Sequence, residues 1–430
     1  MRENLDMASV VNPPRGMRDF LPAEKAQRES VLAVIRSVYQ AHGFSEIETP
    51  VMEESSRLHA GLGGDNEKLA FGVLKRGLTA DDFAAATQAL DLADLGLRFD
   101  LTVPLARFYA SHQAELPTVF RAIQIAPVWR AERPQKGRYR QFVQCDIDII
   151  GEKSSLAEAE LMVATVATLS ALGIDGASIR INDRRLLTSM LTVLGFPASE
   201  HAAVLITVDK LDKLGQEGVI GELRDRAFPA FAVDALEAFF RRPQTMEFTP
   251  FGERAIRKGL PEGVDEVAVL ELAALAETVD EATRALLVFD PFLVRGMGYY
   301  TGTIFEVVHP SLGYSIAGGG RYDGMIGRFL GREVPAVGFS LGFERLVDLV
   351  SLASSGVRDA VALVFEDDVP TAALLALKTS LIAGGKRVRL ERRPRNMGPL
   401  LAQLAADGFS GFAPVRGDTT VDSLEFRTLN

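Results

Sequence analysis

From Arg138 to Ile150 the sequence RYRQFVQCDIDII changes character at every second residue, which predicts a β-strand with two unlike faces. Val143, Cys145, Ile147 and Ile149 fall on one face, which reads as a core face. Arg138, Arg140, Phe142, Gln144, Asp146 and Asp148 share the other, ordered from cations through an aromatic ring to an amide and carboxylates. A second strand is expected over Ala122 to Arg130, and the short turn-rich ERPQKG between them makes an antiparallel hairpin the economical arrangement. Arg121, Arg130, Arg133, Lys136, Arg138 and Arg140 thus crowd one hairpin of a chain whose formal net charge is -10. A solvated outer sheet face is the commoner origin of a polar run. The graded order fits something more specific. Arginines grip phosphates, an aromatic stacks on a base, and a carboxylate beyond them holds an amine or a protonated ring, so the face suits a nucleotide beside an amino acid.

At 430 residues the chain is long enough for two to three domains. Its 47% hydrophobic and 24% charged residues are those of a globular protein. No apolar run approaches the ~20 residues that span a bilayer, and MRENLDMASVVNPPRG lacks a signal-peptide core. The single cysteine, Cys145, excludes an internal disulfide framework and fits a reducing cytoplasm; its place on the apolar face argues against a nucleophile. Five histidines without a close pair make a zinc site unexpected. A pI near 5.2 disfavours indiscriminate nucleic-acid binding while leaving room for a local basic face.

An amphipathic helix is expected over Pro22 to Gln40, then an edge or interface strand interrupted by Pro50 in GFSEIETPVME. Leu58 to Leu95 reads as loop with a short alanine-rich helical patch. LGLRFDLTVPLARFYASH gives a strand ending near Asp100 and Thr102 and a helix from about Pro104. Ser155 is a candidate cap for a helix through Leu172, and ASIRIND a further strand. A mainly helical insertion follows over about 195–285, then strands in FLVRGMGYYTGTIFEVV and YSIAGGGRYDG, and VGFSLGFERLVDLV turning into a helix. After the linker VSLASSGVRD, strand and helix alternate in a small α/β domain, 358–430, set against a first domain of 1–350.

No GxxxxGK[ST] loop and no strand-to-helix GxGxxG occurs, so a bound nucleotide would be held by side chains on a sheet. RGMGYYTGTIFE offers Arg295, Tyr299 and Tyr300, and FSLGFERL offers Arg345; the glycines of AGGGRYDG permit close backbone approach but are as common in tight turns.

Taken in order, PRGMRDFLPAE, the Pro50 segment, LRFDLTVP, VWRAERPQKGRYRQFVQCDIDIIG, LVRGMGYYTGTIFE, AGGGRYDGMI and VGFSLGFERL resemble the class II aminoacyl-tRNA synthetases, and among them the histidyl-tRNA synthetase family. The resemblance implies an α+β fold, an antiparallel sheet flanked by helices with a helical insertion and a C-terminal α/β anticodon-binding-type domain. It implies that GFSEIETPVME builds a homodimer interface. It implies that Arg130, Glu132, Arg138, Phe142 and Arg345 bind ATP, and that Asp100, Thr102, Gln144, Asp148, Tyr299, Tyr300 and Tyr322 bind histidine. Arg295 and Arg130 become the catalytic pair acting on the α-phosphate, with Mg²⁺ accompanying ATP and tRNA(His) as acceptor. The basic run KRVRLERRPR, residues 386–395, becomes a candidate RNA contact. The chain departs from the family pattern at Gly298, where most relatives carry aspartate, and after SLEFRTLN, where a final helix is usual. A non-aminoacylating paralogue, binding histidine as a regulatory subunit of ATP phosphoribosyltransferase, is the alternative reading; the C-terminal domain and the retained Arg130, Arg295 and Arg345 favour the ligase.

Overall fold

The computed structural model describes residues 11–59, 69–135, 137–242, 251–295, 298–350 and 359–429. Lys136, the Gly296–Met297 part of RGMGYY and most of the linker VSLASSGVRD lie outside them. Described residues within 1–18 and 34–350 form one compact unit, and those within 19–33 and 351–430 a second.

The first unit contains strands β1 (Ser45–Glu46), β2 (Met52–Glu54), β3 (Gly72–Leu74), β4 (Ala93–Leu97), β5 (Phe120–Trp129), β6 (Gln141–Ile150), β7 (Ser178–Asp183), β8 (Leu287–Phe289), β9 (Thr303–Val308), β10 (Ala317–Arg321) and β11 (Ala336–Gly342). Eight of them make one sheet in the order β1-β5-β6-β11-β10-β9-β7-β8, parallel only at its two margins, β1 with β5 and β7 with β8. This is the antiparallel sheet anticipated from the sequence. β5 and β6 form the expected hairpin, with Trp129 opposite Gln141 at its mouth.

Alternation then sorts the sheet into two faces. On one, Ile123, Cys145, Ile147, Phe305 and Phe339 are buried, and the rings of Phe305 and Phe339 stack at 4.8 Å between centroids. The helix Leu156–Ala171 packs against β6 and β11 with Leu161, Met162 and Leu169 buried. Ser155 stands at its N-cap position in αR conformation and makes no side-chain cap bond, so the expected cap is absent. Arg321 of β10 instead secures this helix through a two-pronged bond to buried Glu158, Nε to Oε1 at 2.7 Å and Nη2 to Oε2 at 2.6 Å.

Some boundaries differ from the sequence reading. Arg138 and Arg140 precede β6 and belong to the connecting loop. LVRGMGYYTGTIFEVV contributes a strand only from Thr303, and the helix after FDLTVP begins at Thr102 rather than Pro104. The segment read as loop with a helical patch carries β3 and the short helix Ala80–Ala85, and the strand expected to end near Asp100 and Thr102 is β4, which begins at Ala93 and stops at Leu97; β2, β4 and β3 form a three-stranded sheet. Pro50 falls between β1 and β2, and β1 sits at the margin of the large sheet. Buried Arg98, just past β4, ties these pieces together by donating to the carbonyls of Thr49 at 2.8 Å and Pro127 at 3.0 Å.

In the second unit β12 (Ala360–Phe365) lies between parallel β13 (Arg387–Arg392) and parallel β14 (Gly411–Val415), with β15 (Arg427–Thr428) antiparallel at the end. β12 divides its side chains as a two-faced strand must. Val361 and Leu363 join Leu374, Leu377 and Leu381 of one helix, while Ala360, Ala362 and Val364 join Leu404 of the other. No helix of the described residues is long and apolar enough to cross a membrane.

Candidate active site

The polar face of β6 forms the axis of a cavity of about 510 Å³ in the first unit. Phe142 and Asp148 are six positions apart on one face, or about 20 Å along the strand. At the Phe142 end the hairpin loop brings Arg130, Glu132 and Arg138, and Arg345 enters from the short helix after β11. Arg130 Nε donates to the Phe99 carbonyl at 2.8 Å, with its guanidinium carbon 5.1 Å from the Phe142 ring centre. Arg138 donates to Glu132 at 3.3 Å, and Arg345 donates to the carbonyls of Gly137 at 3.1 Å and Ser315 at 2.7 Å.

At the Asp148 end the chemistry is carboxylate and phenol. Tyr322 donates to Asp148 Oδ1 at 2.6 Å. Tyr299 packs at 4.7 Å on Tyr300 and edge-on at 6.1 Å to Tyr322. Asp100 accepts from the Val103 amide at 3.2 Å, at the start of the helix that carries Thr102. Gln144, midway along β6, donates to Ser340 at 2.8 Å, while its buried Oε1 has no hydrogen-bond partner.

Arg295 lies between these ends. Its guanidinium rests on Gly318, where a Cβ would come within 2.6 Å of it, and Gly318 is level with Ser340 on β11 and Asp146 on β6. Glu306, the other neighbour of Gly318, accepts from Arg295 Nη1 at 2.8 Å. Gly338 has the matching role beside Asp148, for a Cβ there would overlap Asp148 Oδ1. Gly318, from the run whose close-approach and tight-turn readings were both open, and Gly338 are therefore strand residues whose missing side chains leave a floor for an arginine and a carboxylate.

Charge is divided along this floor. Burial, followed by the neighbouring Arg138, pulls the Arg345 pKa down, with Arg295 and Arg130 adding to the effect; cations concentrated in this way suit a polyanion. Burial also opposes the charge on Arg295, but Glu306 and its neighbours outweigh it and the pKa is raised. Burial pushes the Asp148 carboxyl up to about 7 despite the bond from Tyr322, and lifts Asp146 well above the carboxylate range, with Asp148 adding to that rise.

All thirteen residues singled out from the sequence line this one cavity. Asp146, placed on the polar face by alternation but given no role, lines it too, as do Ser340, Glu306, Arg180, Asp209 and Asp212, which the sequence reading did not select. Glu306 and Arg180 are opposite each other on β9 and β7, so strand alternation carried a usable signal. Asp209 and Asp212 arrive from the inserted helical module, and Asp212 accepts from Arg180 at 2.8 Å; no local pattern marks such a long-range approach. Gly298 is exposed, and a Cβ there would meet nothing within 4 Å. Tyr299 and Tyr300 line the cavity beside it. Among the described residues no group of three His, Cys, Asp or Glu side chains forms a metal site.

Comparison with known proteins agrees with this arrangement. Residues 16–346 match the model of the histidyl-tRNA synthetase family. The chain is 59% identical to a histidine–tRNA ligase of Leifsonia xyli subsp. xyli, covering 98% of this chain and 99% of that one. It is 45% identical to a probable histidine–tRNA ligase of Tropheryma whipplei, over 93% and 94% of the two chains. The crystal structure of histidyl-tRNA synthetase from Nostoc sp. PCC 7120 superposes with a TM-score of 0.72 at 27% identity, covering 94% of this chain and 91% of that one. A Bacillus halodurans structure described as an ATP phosphoribosyltransferase regulatory subunit/histidyl-tRNA synthetase shares the fold, with a TM-score of 0.73 at 20% identity over 94% and 97% of the chains. The large sheet is that of a class II aminoacyl-tRNA synthetase. Within that class, the chain belongs to the histidyl-tRNA synthetase family.

Proposed function

We propose that this chain activates L-histidine with ATP to histidyl-adenylate and transfers the histidyl group to the 3′ end of tRNA(His). The observation that carries the reading is the position of Arg295, level with Asp146, between the arginine end at Phe142 and the carboxylate–tyrosine end at Asp148. In that order an amino acid's carboxylate meets the α-phosphate of ATP beside a fixed cation. Relatives named as histidine–tRNA ligases over nearly the whole chain support it further.

The carboxylate of histidine is already ionised and attacks the α-phosphorus, forming a carboxyl–phosphate bond as the bond to pyrophosphate breaks. Negative charge grows on the phosphoryl oxygens and the leaving group. Arg130 and Arg295 stabilise the first, and Arg138 and Arg345 the second, while Phe142 stacks on adenine and Glu132 accepts from its amine. Asp148, oriented by Tyr322, and Asp100 with Thr102 and Gln144 hold the histidine nitrogens. Tyr299 and Tyr300 enclose the imidazole. An analogue without ring nitrogens would leave these buried groups unpaired, a larger penalty than a missing methylene.

Mg²⁺ fits as part of the nucleotide substrate, bound mainly by phosphate oxygens and water. The tRNA hydroxyl then attacks the histidyl carbonyl and AMP leaves. A cytoplasmic homodimer, with the β1–Pro50 segment at its interface, completes the reading; marginal β1 has one side of its ladder to offer. Charging of tRNA(His) with labelled histidine is the test. Ester formation that requires ATP and histidine is expected, whereas none with intact tRNA and folded protein would refute transfer.

A further inference from the structure

The sequence PRGMRD near the N-terminus has no part in the chemistry described above. We propose that Pro14–Arg18 is a strap that holds the loop between β5 and β6 against the phosphate end of the cavity, with Arg18 as its positioning residue. The role assigned to the strap rests on reading that loop as the nucleotide-binding one.

The contacts are specific. The Arg140 amide, in the outgoing stem of the loop, donates to the Gly16 carbonyl at 2.8 Å. Gly16 has a φ of +85°, and a Cβ there would lie 2.7 Å from Pro134 Cγ and 3.0 Å from Arg140 Cγ. Only glycine lets the strap turn left-handed while lying flat on both stems of the loop. Two residues on, the Arg18 guanidinium carbon stands 3.6 Å from the Tyr139 ring centre, a close cation–ring contact with a residue of the loop itself.

The same arginine pairs with Glu344, which is 5% exposed. Glu344 also accepts from the Val143 amide at 3.3 Å, and the next residue, Arg345, donates to the Gly137 carbonyl at 3.1 Å. The loop is thereby gripped on two sides, at Tyr139 and Arg140 by the strap and at Gly137 by Arg345, with Glu344 common to both. Such a grip has electrostatic work to do, because Arg138 and Arg130 repel Arg345 across the cavity. Holding these cations together before the nucleotide arrives removes an ordering cost from binding.

Arg18→Ala is the test, read in two ways. In histidine-dependent pyrophosphate exchange its KM for ATP should rise about tenfold while its KM for histidine stays within about twofold, and Arg18→Lys should recover most of the loss. Trp129, the single tryptophan of the chain, donates to Gln141 at 3.2 Å across the root of the loop and reports its closure without any ligand. Acrylamide quenching of Trp129 should increase by about twofold in Arg18→Ala at an unchanged melting temperature. An unchanged KM for ATP, or equal rises for ATP and histidine, would overturn the strap. Should the wild-type protein show no exchange, the functional reading fails and quenching alone decides: an unchanged value refutes the strap and a raised one supports loop closure. If Arg18→Ala does not fold, Tyr139→Leu removes the same cation–ring contact and is judged by the same two measurements.

Discussion

Arg295 is the residue on which the proposed chemistry turns, since its guanidinium lies on Gly318 and is held there by Glu306. Arg295→Ala should lower the exchange rate by about a hundredfold, on the order of 3 kcal/mol in the barrier, with histidine affinity measured by calorimetry little changed. Near-normal exchange would show that the assigned role is wrong. Gly338 tests the other end of the floor. A methyl group at Gly338 overlaps Asp148 Oδ1, so Gly338→Ala should raise the KM for histidine by about tenfold or more while the KM for ATP moves little. Asp148 also makes a pH prediction. Its carboxyl is raised from 3.8 to about 7 by burial, so between those values the folded protein binds more protons than the unfolded chain. Stability without histidine therefore falls as pH rises from about 4 to 7, by on the order of 4 kcal/mol from this group, and Asp148→Asn should flatten that slope in denaturant titrations. A slope equal to that of the wild type would contradict the assignment.

At the scale of elements, legibility followed pattern length. Ten-residue β6 was readable because two faces of unlike chemistry repeat along it, and β5 because it must pair across a short turn. β3 and β2, of three residues each, are too short to show a period, and their sheet was missed. Arg138 was assigned to the strand for a related reason: its alternation continues into the loop, although the ladder stops at Gln141. On β6 the cavity residues Phe142, Gln144, Asp146 and Asp148 were visible from alternation, whereas Arg180, Glu306 and Ser340 on other strands were not selected. Nor were Asp209 and Asp212, because the folded path of the insertion alone brings them to the cavity. One cross-element tie is open to measurement. Glu158 takes both prongs of Arg321 in a buried site, so Glu158→Ala leaves the guanidinium with only its single-pronged 3.3 Å contact to Asp323 as a charge partner and should destabilise the fold by about 3 kcal/mol in chemical denaturation.

For the whole molecule, we propose that the second unit serves tRNA binding rather than adenylate formation. The basic run on and beside β13 is mostly neutralised locally: Lys386 pairs with Asp359, Arg389 with Glu391 and Asp407, Arg392 with Asp367, and Arg393 with Glu366. Among the described residues, Arg387 and Arg395 are exposed and have no carboxylate within ion-pair distance, which makes them the better candidates for phosphate contact. The double variant Arg387→Glu, Arg395→Glu should lower kcat/KM for tRNA charging by about tenfold or more and leave exchange unaltered. Equal loss in both assays would assign these residues to stability. Adenylate formation from histidine remains the central claim, and histidine-dependent exchange of labelled pyrophosphate into ATP tests it most directly. Rapid exchange with histidine, and none when histidine is omitted or replaced by phenylalanine, is the expected result; no exchange in well-folded protein supplied with ATP, Mg²⁺ and histidine would contradict it.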